Sequence, residues 1–198
     1  MKNGILVVIS GPSGAGKGTI VGRILKELDN IGFSTSMTTR SPREGEVDGR
    51  DYFFVTEEEF KKAIDEDAFV EYANVHGNYY GTPKSEVASR LERGMNVLLD
   101  IDVQGAMNVK KQMPEGVFIF ISPPSMEELR ARLEGRGKDS AEDIERRLKN
   151  AEGEMKLIGE YDYHVVNDDL DTAVEEVKEI IIKEEIKEGS SHDAISGN

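Results

Sequence analysis

The apolar run Ile5-Leu6-Val7-Val8-Ile9-Ser10 leads directly into Gly11-Pro12-Ser13-Gly14-Ala15-Gly16-Lys17-Gly18-Thr19, and an apolar helical periodicity (Ile20, Ile24, Leu28, with Val21 and Leu25 beside them) follows at once. Residues of these types in this order build an anion site. Glycine lets the backbone take positive φ and curl until successive amide N–H groups point inward at a helix N-terminus. Lys17 adds a full positive charge to that nest. Strand, glycine-rich loop, lysine and helix in sequence imply a phosphate-binding loop for a nucleoside triphosphate. One position departs from the usual pattern: Gly18 stands where a Ser or Thr hydroxyl normally meets Mg²⁺, and the first hydroxyl belongs to Thr19. The expectation is that phosphate oxygens, water and a carboxylate elsewhere hold the metal, while Thr19 serves a phosphate.

That carboxylate is Asp100, which ends the apolar strand pattern Asn96-Val97-Leu98-Leu99-Asp100. At the C-terminal edge of a strand beside the nest, it can hold Mg²⁺ or the ion's water ligands. If the strand persists, period-two alternation puts Asp102 on the same side as Asp100. Asp102 then has three open roles: the metal, a second ligand, or an N-cap for the helical pattern from Val103 to Gln112. Basic residues cluster in two islands, Arg40, Arg43 and Arg50 in one, and Arg130, Arg132, Arg136, Arg146 and Arg147 in the other. In a chain of formal net charge −14, such islands point to discrete phosphate sites. The same charge argues against nucleic acid as a partner, which would need a basic face.

These residues must be held by a scaffold, and 198 residues suffice for one domain with a full core. Strand-like runs recur at Ile5 to Ile9, Val97 to Ile101, Val117 to Ile121 and Tyr163 to Val166, each followed by a helical pattern. Runs apolar on both faces, alternating with helices, predict a parallel sheet covered on both sides. Thr56 with Glu59 and Ser125 with Glu128 have capping-box spacing, Ser140 precedes an acidic first turn, and Thr82 followed by Pro83 reads as a cap with proline at the first helical position. Residues 33 to 82 differ in texture. Short alternating segments and turn glycines there predict a small mixed sheet inserted between core elements. Gly135 and Gly137 flank Arg136 between helical patterns, as in a lid hinge. The chain has no internal repeat.

Zero cysteines exclude disulfides, thiolate catalysis and thiolate zinc sites, and His76, His164 and His192 have no metal-ligand spacing. There is neither a basic-plus-apolar leader nor an apolar run long enough to span a bilayer, so a soluble, cytoplasmic protein is expected, with no membrane partner. Nothing in the sequence speaks to its oligomeric state.

Taken with the phosphate loop, the set Ser36 to Gly49, Asp51-Tyr52, Glu71, Gly77-Asn78-Tyr79-Tyr80-Gly81-Thr82, Leu99-Asp100-Ile101-Asp102, Arg132-Leu133-Glu134-Gly135-Arg136-Gly137 and Val166-Asn167-Asp168-Asp169 closely resembles guanylate kinase from the start to about residue 186. The resemblance implies an α/β fold of the P-loop NTPase three-layer type, with a parallel core sheet (1–32, 83–125 and 162–186), an inserted mixed GMP-binding subdomain (33–82) and a helical lid (about 126–161). Residues 187 to 198 would be a polar tail outside the domain. The implied reaction is ATP + GMP ⇌ ADP + GDP with Mg²⁺. By the same likeness Arg40, Arg43, Tyr52 and Tyr80 hold the GMP phosphate, and Ser36, Glu71, Thr82 and Asp102 the base. Gly11 to Thr19 hold ATP, with Arg132 and Asn167 near its adenine; Lys17, Arg136 and Arg147 neutralise the transferring phosphoryl group, and Asp100 serves the metal.

The chemistry of these residue types agrees with the likeness. Guanidinium forks bind phosphate bidentately and phenols donate without adding charge. Guanine offers N–H donors on its Watson–Crick edge, where adenine has an unprotonated N1, and a carboxylate can only accept. Arg146 and Arg147 both lie off the buried stripe Ile144, Leu148, Ala151 and Met155, so pattern leaves either facing the site; the likeness favours Arg147. Two other readings compete, a nucleoside monophosphate kinase of different base specificity and a non-catalytic phosphopeptide-binding module of the same fold.

Overall fold

The computed structural model describes residues 3–75, 77–135 and 140–195, with side chains described to residue 190. Its centre is a parallel sheet of order β2-β7-β1-β8-β9, built from Ile31–Phe33 (β2), Asn96–Asp100 (β7), Leu6–Ser10 (β1), Val117–Ser122 (β8) and Tyr163–Val166 (β9). Alternation sends Val7, Ile9, Leu98, Ile119 and Ile121 to one face. There they meet Ile20 and Ile24 of α1 (Lys17–Glu27) and Val174, Val177 and Ile181 of α7 (Leu170–Ile195). Leu6, Val8, Val97, Leu99, Phe118 and Phe120 take the other face, against Val87 of α3 (Lys84–Glu92) and Val103, Ala106 and Val109 of α4 (Val103–Gln112). Burial on both faces is what makes these strands read as unbroken apolar runs.

The second sheet is mixed, of order β4-β3-β6-β5, from Phe53–Phe54 (β4), Met37–Thr38 (β3), Asn78–Pro83 (β6) and Phe69–Val75 (β5). Helix α2 (Glu57–Asp65) closes it: Phe60 stacks on Phe69 at 4.5 Å and on Tyr79 at 5.3 Å. A third, smaller cluster joins α5 (Met126–Gly135) to α6 (Ala141–Met155) through Leu129, Leu133, Ile144, Leu148 and Ala151. The second sheet is tied to the core by Val70 of β5, which packs in the cluster with Leu6, Val8 and Val103, and by Gln112, whose amide donates to the Val70 carbonyl at 3.3 Å. Arg136 and Gly137 lie outside the described residues.

Thr56 and Glu59 form a complete capping box on α2, Ser140 caps α6, and the Ser125 hydroxyl accepts from the Glu128 N–H at the start of α5. Three expectations need correction. The core sheet has a fifth strand, β2, that takes in Phe33, so the insertion begins after it; a three-residue strand containing Gly32 leaves little pattern to read. Thr82 is not a cap. Pro83 occupies that position, and the Thr82 hydroxyl goes to Glu71 instead. Finally, α7 continues through residue 187 to Ile195, crossing the expected start of the tail. Lys187 pairs with Glu184 one turn back, the sort of local support that carries a polar sequence on as helix.

Candidate active site: a phosphate loop beside a cleft between two sheets

The loop after β1 takes the shape its glycines allow. Gly11 has φ 138°, and a Cβ there would lie 2.0 Å from the Ile121 carbonyl oxygen of the neighbouring strand. Gly16 has φ 93° and caps α1, and a Cβ on it would strike the Asn167 amide at 2.3 Å. No acidic residue occupies the first turn of α1, so the positive end of the helix dipole is left for an anion. Lys17 Nζ donates to the Gly11 carbonyl at 2.5 Å and to that of Pro12 at 3.1 Å, folding back over the loop.

Asp100 is placed by register, since β7 pairs with β1 so that Asp100 stands opposite Ile9, one residue before the turn. Its carboxylate opens onto the cleft between protein walls. Burial pushes its pKa above the usual range, and the charge of Lys17 works against that shift. The strand ends at Asp100, so the alternation that would have aligned Asp102 stops short. Asp102 is the N-cap of α4, its Oδ1 accepting from the Gly105 N–H at 2.7 Å. Its charge nevertheless reaches Glu71 and Glu154, helping to raise both pKa values after the larger effect of burial.

A cleft of ≈ 250 Å³ runs between the two sheets. Ser36, Tyr52, Glu71 and Thr82 of the insertion line one wall, and Leu98, Leu99 and Asp100 the other. Glu71 accepts from the Thr82 hydroxyl at 2.8 Å. Beside Tyr52, Arg40 is held by Glu46 at 2.9 and 3.0 Å, and its guanidinium lies 5.4 Å from the Tyr52 ring centre. The rings of Tyr52 and Tyr80 meet edge to face at 6.0 Å. Arg43 joins through its backbone, donating to Glu46 Oε2 at 2.7 Å. From α6, Arg147 Nη1 reaches Ser13 Oγ at 3.5 Å, whereas Arg146 pairs with Asp143 at 2.5 Å and is exposed. Of the two arginines, it is Arg147 that faces the loop.

The molecule therefore offers an anion nest with a lysine, a carboxylate at the adjoining strand end, and a cleft lined by Glu71, Thr82 and Tyr52, with the Arg40 guanidinium beside the Tyr52 ring. The Guanylate kinase family model matches residues 3–184. The chain belongs to the guanylate kinase family. It is 55% identical over 186 residues to the guanylate kinase of Caldanaerobacter subterraneus subsp. tengcongensis, covering 94% of this chain and 90% of that protein. To the guanylate kinase of Clostridium acetobutylicum it is 51% identical, covering 94% and 88%. Among solved structures, guanylate kinase from Anaplasma phagocytophilum superposes with a TM-score of 0.66 at 36% identity, over 93% of this chain and 87% of that one. Family and relatives carry the enzyme reading over the binding-module and other-specificity readings.

Three residues to which the resemblance assigned no role belong to the same surroundings. Glu154 lies two helical turns from Arg147 on the same face of α6; burial raises its pKa and Lys17 lowers it. Ser34 is buried in the wall of the cleft, its hydroxyl without a hydrogen-bond partner among the described residues. Glu46 holds Arg40. A glutamate in a polar loop and a serine in a short strand-like run carry no spacing signal; Glu154 could have been found only from its place seven residues after Arg147, on the same helix face.

Asn167 and Arg132 are brought together, and their visible work is to brace the loop. The buried Asn167 amide donates to the Ala15 carbonyl at 2.7 Å, and Arg132 Nη2 donates to the Asn167 carbonyl at 2.9 Å. Asn167→Ala strands the Ala15 carbonyl, and we expect a loss of about 1–2 kcal/mol in stability, with weaker ATP binding and little change for GMP. Urea unfolding with an unchanged midpoint would show that the brace carries no stability.

Proposed function

We propose that the phosphate loop holds ATP, that the cleft between the sheets holds GMP, and that the protein transfers the γ-phosphoryl group between them reversibly, in the cytoplasm. The observation that carries this reading is the joining of the two sites at Asp100, which belongs to the β7 end beside the loop and to the cleft wall at once. Ser36, Glu71, Thr82 and Asp102 take the guanine. Glu71 is the principal acceptor for its N–H donors, and Asp102 contributes while capping α4 through one oxygen. Arg40, Arg43, Tyr52 and Tyr80 take the phosphate of GMP. Gly11, Pro12, Ser13, Gly14, Ala15, Gly16, Gly18 and Thr19 wrap the ATP phosphates, and Arg132 and Asn167 border the adenine.

No general base is needed, because the attacking phosphate oxygen is already ionised at neutral pH. Catalysis reduces to in-line placement, charge stabilisation and exclusion of water. Lys17 and Arg147, both of which reach the loop, neutralise the transferring group, and Arg136 is the third cation assigned to it. The donor set fits Mg²⁺ arriving with ATP: among the described residues no three acidic or imidazole side chains converge into a metal cage. Asp100 supplies one carboxylate to an ion otherwise held by phosphate and water. When bound, the ion neutralises phosphate charge. Asp100→Asn should raise the half-saturating Mg²⁺ concentration about tenfold, and a titration superimposing on wild type would remove Asp100 from the metal's surroundings.

The proposal is tested by a coupled assay for ADP in the presence of ATP and Mg²⁺. ADP should form steadily with GMP and nearly cease without it. ADP release indifferent to GMP would refute the acceptor assignment. No helix among the described residues is long and apolar enough to cross a membrane.

A further inference from the structure

The Arg40 guanidinium has five N–H donors in a plane, and the structure shows which of them are spent. Nη1 donates to the Ser41 carbonyl at 2.7 Å and to Glu46 Oε2 at 3.0 Å, and Nη2 donates to Glu46 Oε1 at 2.9 Å. Glu46 thus grips the end of the guanidinium in a two-point fork. Among the described residues, the contacts to Ser41 and Glu46 leave the side edge, one N–H from Nε and one from Nη2, which lie parallel and match two oxygens of a phosphate. The Tyr80 hydroxyl stands within hydrogen-bonding reach of the same group.

The grip is itself anchored. Glu46 Oε2 also accepts the Arg43 backbone N–H at 2.7 Å, and the Glu46 N–H donates to the Arg43 carbonyl at 3.1 Å. Tyr52 and Phe54 flank the guanidinium at 5.4 and 5.8 Å from their ring centres. Both partners are largely buried, with 14% of the Arg40 side chain and 20% of the Glu46 side chain exposed. Two hydrogen bonds from Arg40 and one from the Arg43 backbone hold the Glu46 carboxyl below its usual pKa, so it stays ionised at neutral pH.

We propose that Glu46 is a positioning residue for the acceptor: it holds the end of the Arg40 guanidinium so that the Nε–Nη2 edge faces the nucleoside monophosphate. The proposal rests on the reading of Arg40 as a phosphate ligand. It is opposed by a simple electrostatic alternative. A carboxylate beside a phosphate site repels the phosphate and competes for the arginine, so on charge alone its removal should tighten binding. The two accounts predict opposite signs.

Calorimetric titration of GMP and, separately, guanosine into wild type, Glu46→Gln and Arg40→Met decides between them. Gln keeps the length of the side chain but faces the guanidinium with one donor, which breaks the fork. We expect Glu46→Gln to weaken GMP about tenfold or more and to leave guanosine, which has no phosphate, within about twofold of wild type. Arg40→Met should weaken GMP at least as much. If Glu46→Gln binds GMP as well as wild type or better while Arg40→Met does not, the positioning role is overturned and the Arg40 assignment stands. Equal weakening of GMP and guanosine in Glu46→Gln would also overturn it, as loss of local structure. Unchanged GMP binding in Arg40→Met would take down both the Arg40 assignment and the proposal.

Discussion

Lys17→Met should lower kcat by about two to three orders of magnitude while the protein stays folded. The ammonium stands at the head of α1, over a loop whose carbonyls it now contacts through Gly11 and Pro12. In the proposed reading those contacts exchange for phosphate oxygens when ATP binds, and the charge acts where negative charge shifts during transfer. Away from bulk water, such a charge stabilises far more than it would in solvent. Removing it also removes two ties within the loop, so a modest drop in thermal midpoint is expected as well. Circular dichroism and a full steady-state analysis separate the two effects. Near-normal kcat in a folded variant would show that Lys17 is only a loop tie.

Base selectivity gives the second large effect. GMP should be preferred over AMP by at least about a hundredfold, because AMP leaves the Glu71 carboxylate facing an unprotonated ring nitrogen. Losing a hydrogen bond to a charged group costs about 1.5–3 kcal/mol, so Glu71→Gln should raise the KM for GMP about 10- to 150-fold with the KM for ATP little changed. Stability should move the other way. Burial raises the Glu71 pKa above 4.5, and the Thr82 hydroxyl only partly offsets this. A carboxyl with a raised folded pKa favours folding in its protonated form, and this contribution is lost as pH rises through that pKa. At neutral pH the ionised Glu71 is therefore a cost, and Glu71→Gln, which keeps an acceptor for Thr82, should melt no lower than wild type. The difference should shrink on acidification as Glu71 takes up its proton. A variant that melts lower and loses ATP and GMP alike would make Glu71 a structural residue.

Much of this arrangement was legible in the sequence because it depends on local pattern. The phosphate loop needs glycines at fixed offsets between a strand and a helix. The core strands need apolar residues on both faces, and the caps at Thr56 and Ser140 need a hydroxyl three residues before an acid. What escaped depends on contacts distant in sequence or on too few residues. β2 has three residues and is a strand only because β7 lies beside it. Thr82 had the spacing of a cap, yet its hydroxyl answers to Glu71 across the hairpin. Asp102 could be placed only once β7 was seen to stop at Asp100. The bracing of the loop by Asn167 spans 152 residues, and no local pattern encodes it.

The central claim is that one molecule joins a triphosphate donor site to a guanylate acceptor site, and the fate of a labelled phosphorus tests it most directly. ATP labelled at the γ-phosphorus is incubated with the protein, Mg²⁺ and either GMP or AMP, and the products are separated. The label should appear in GDP when GMP is present and remain almost wholly in ATP when AMP replaces it. Label recovered as inorganic phosphate, or transferred to AMP as readily as to GMP, would contradict the account.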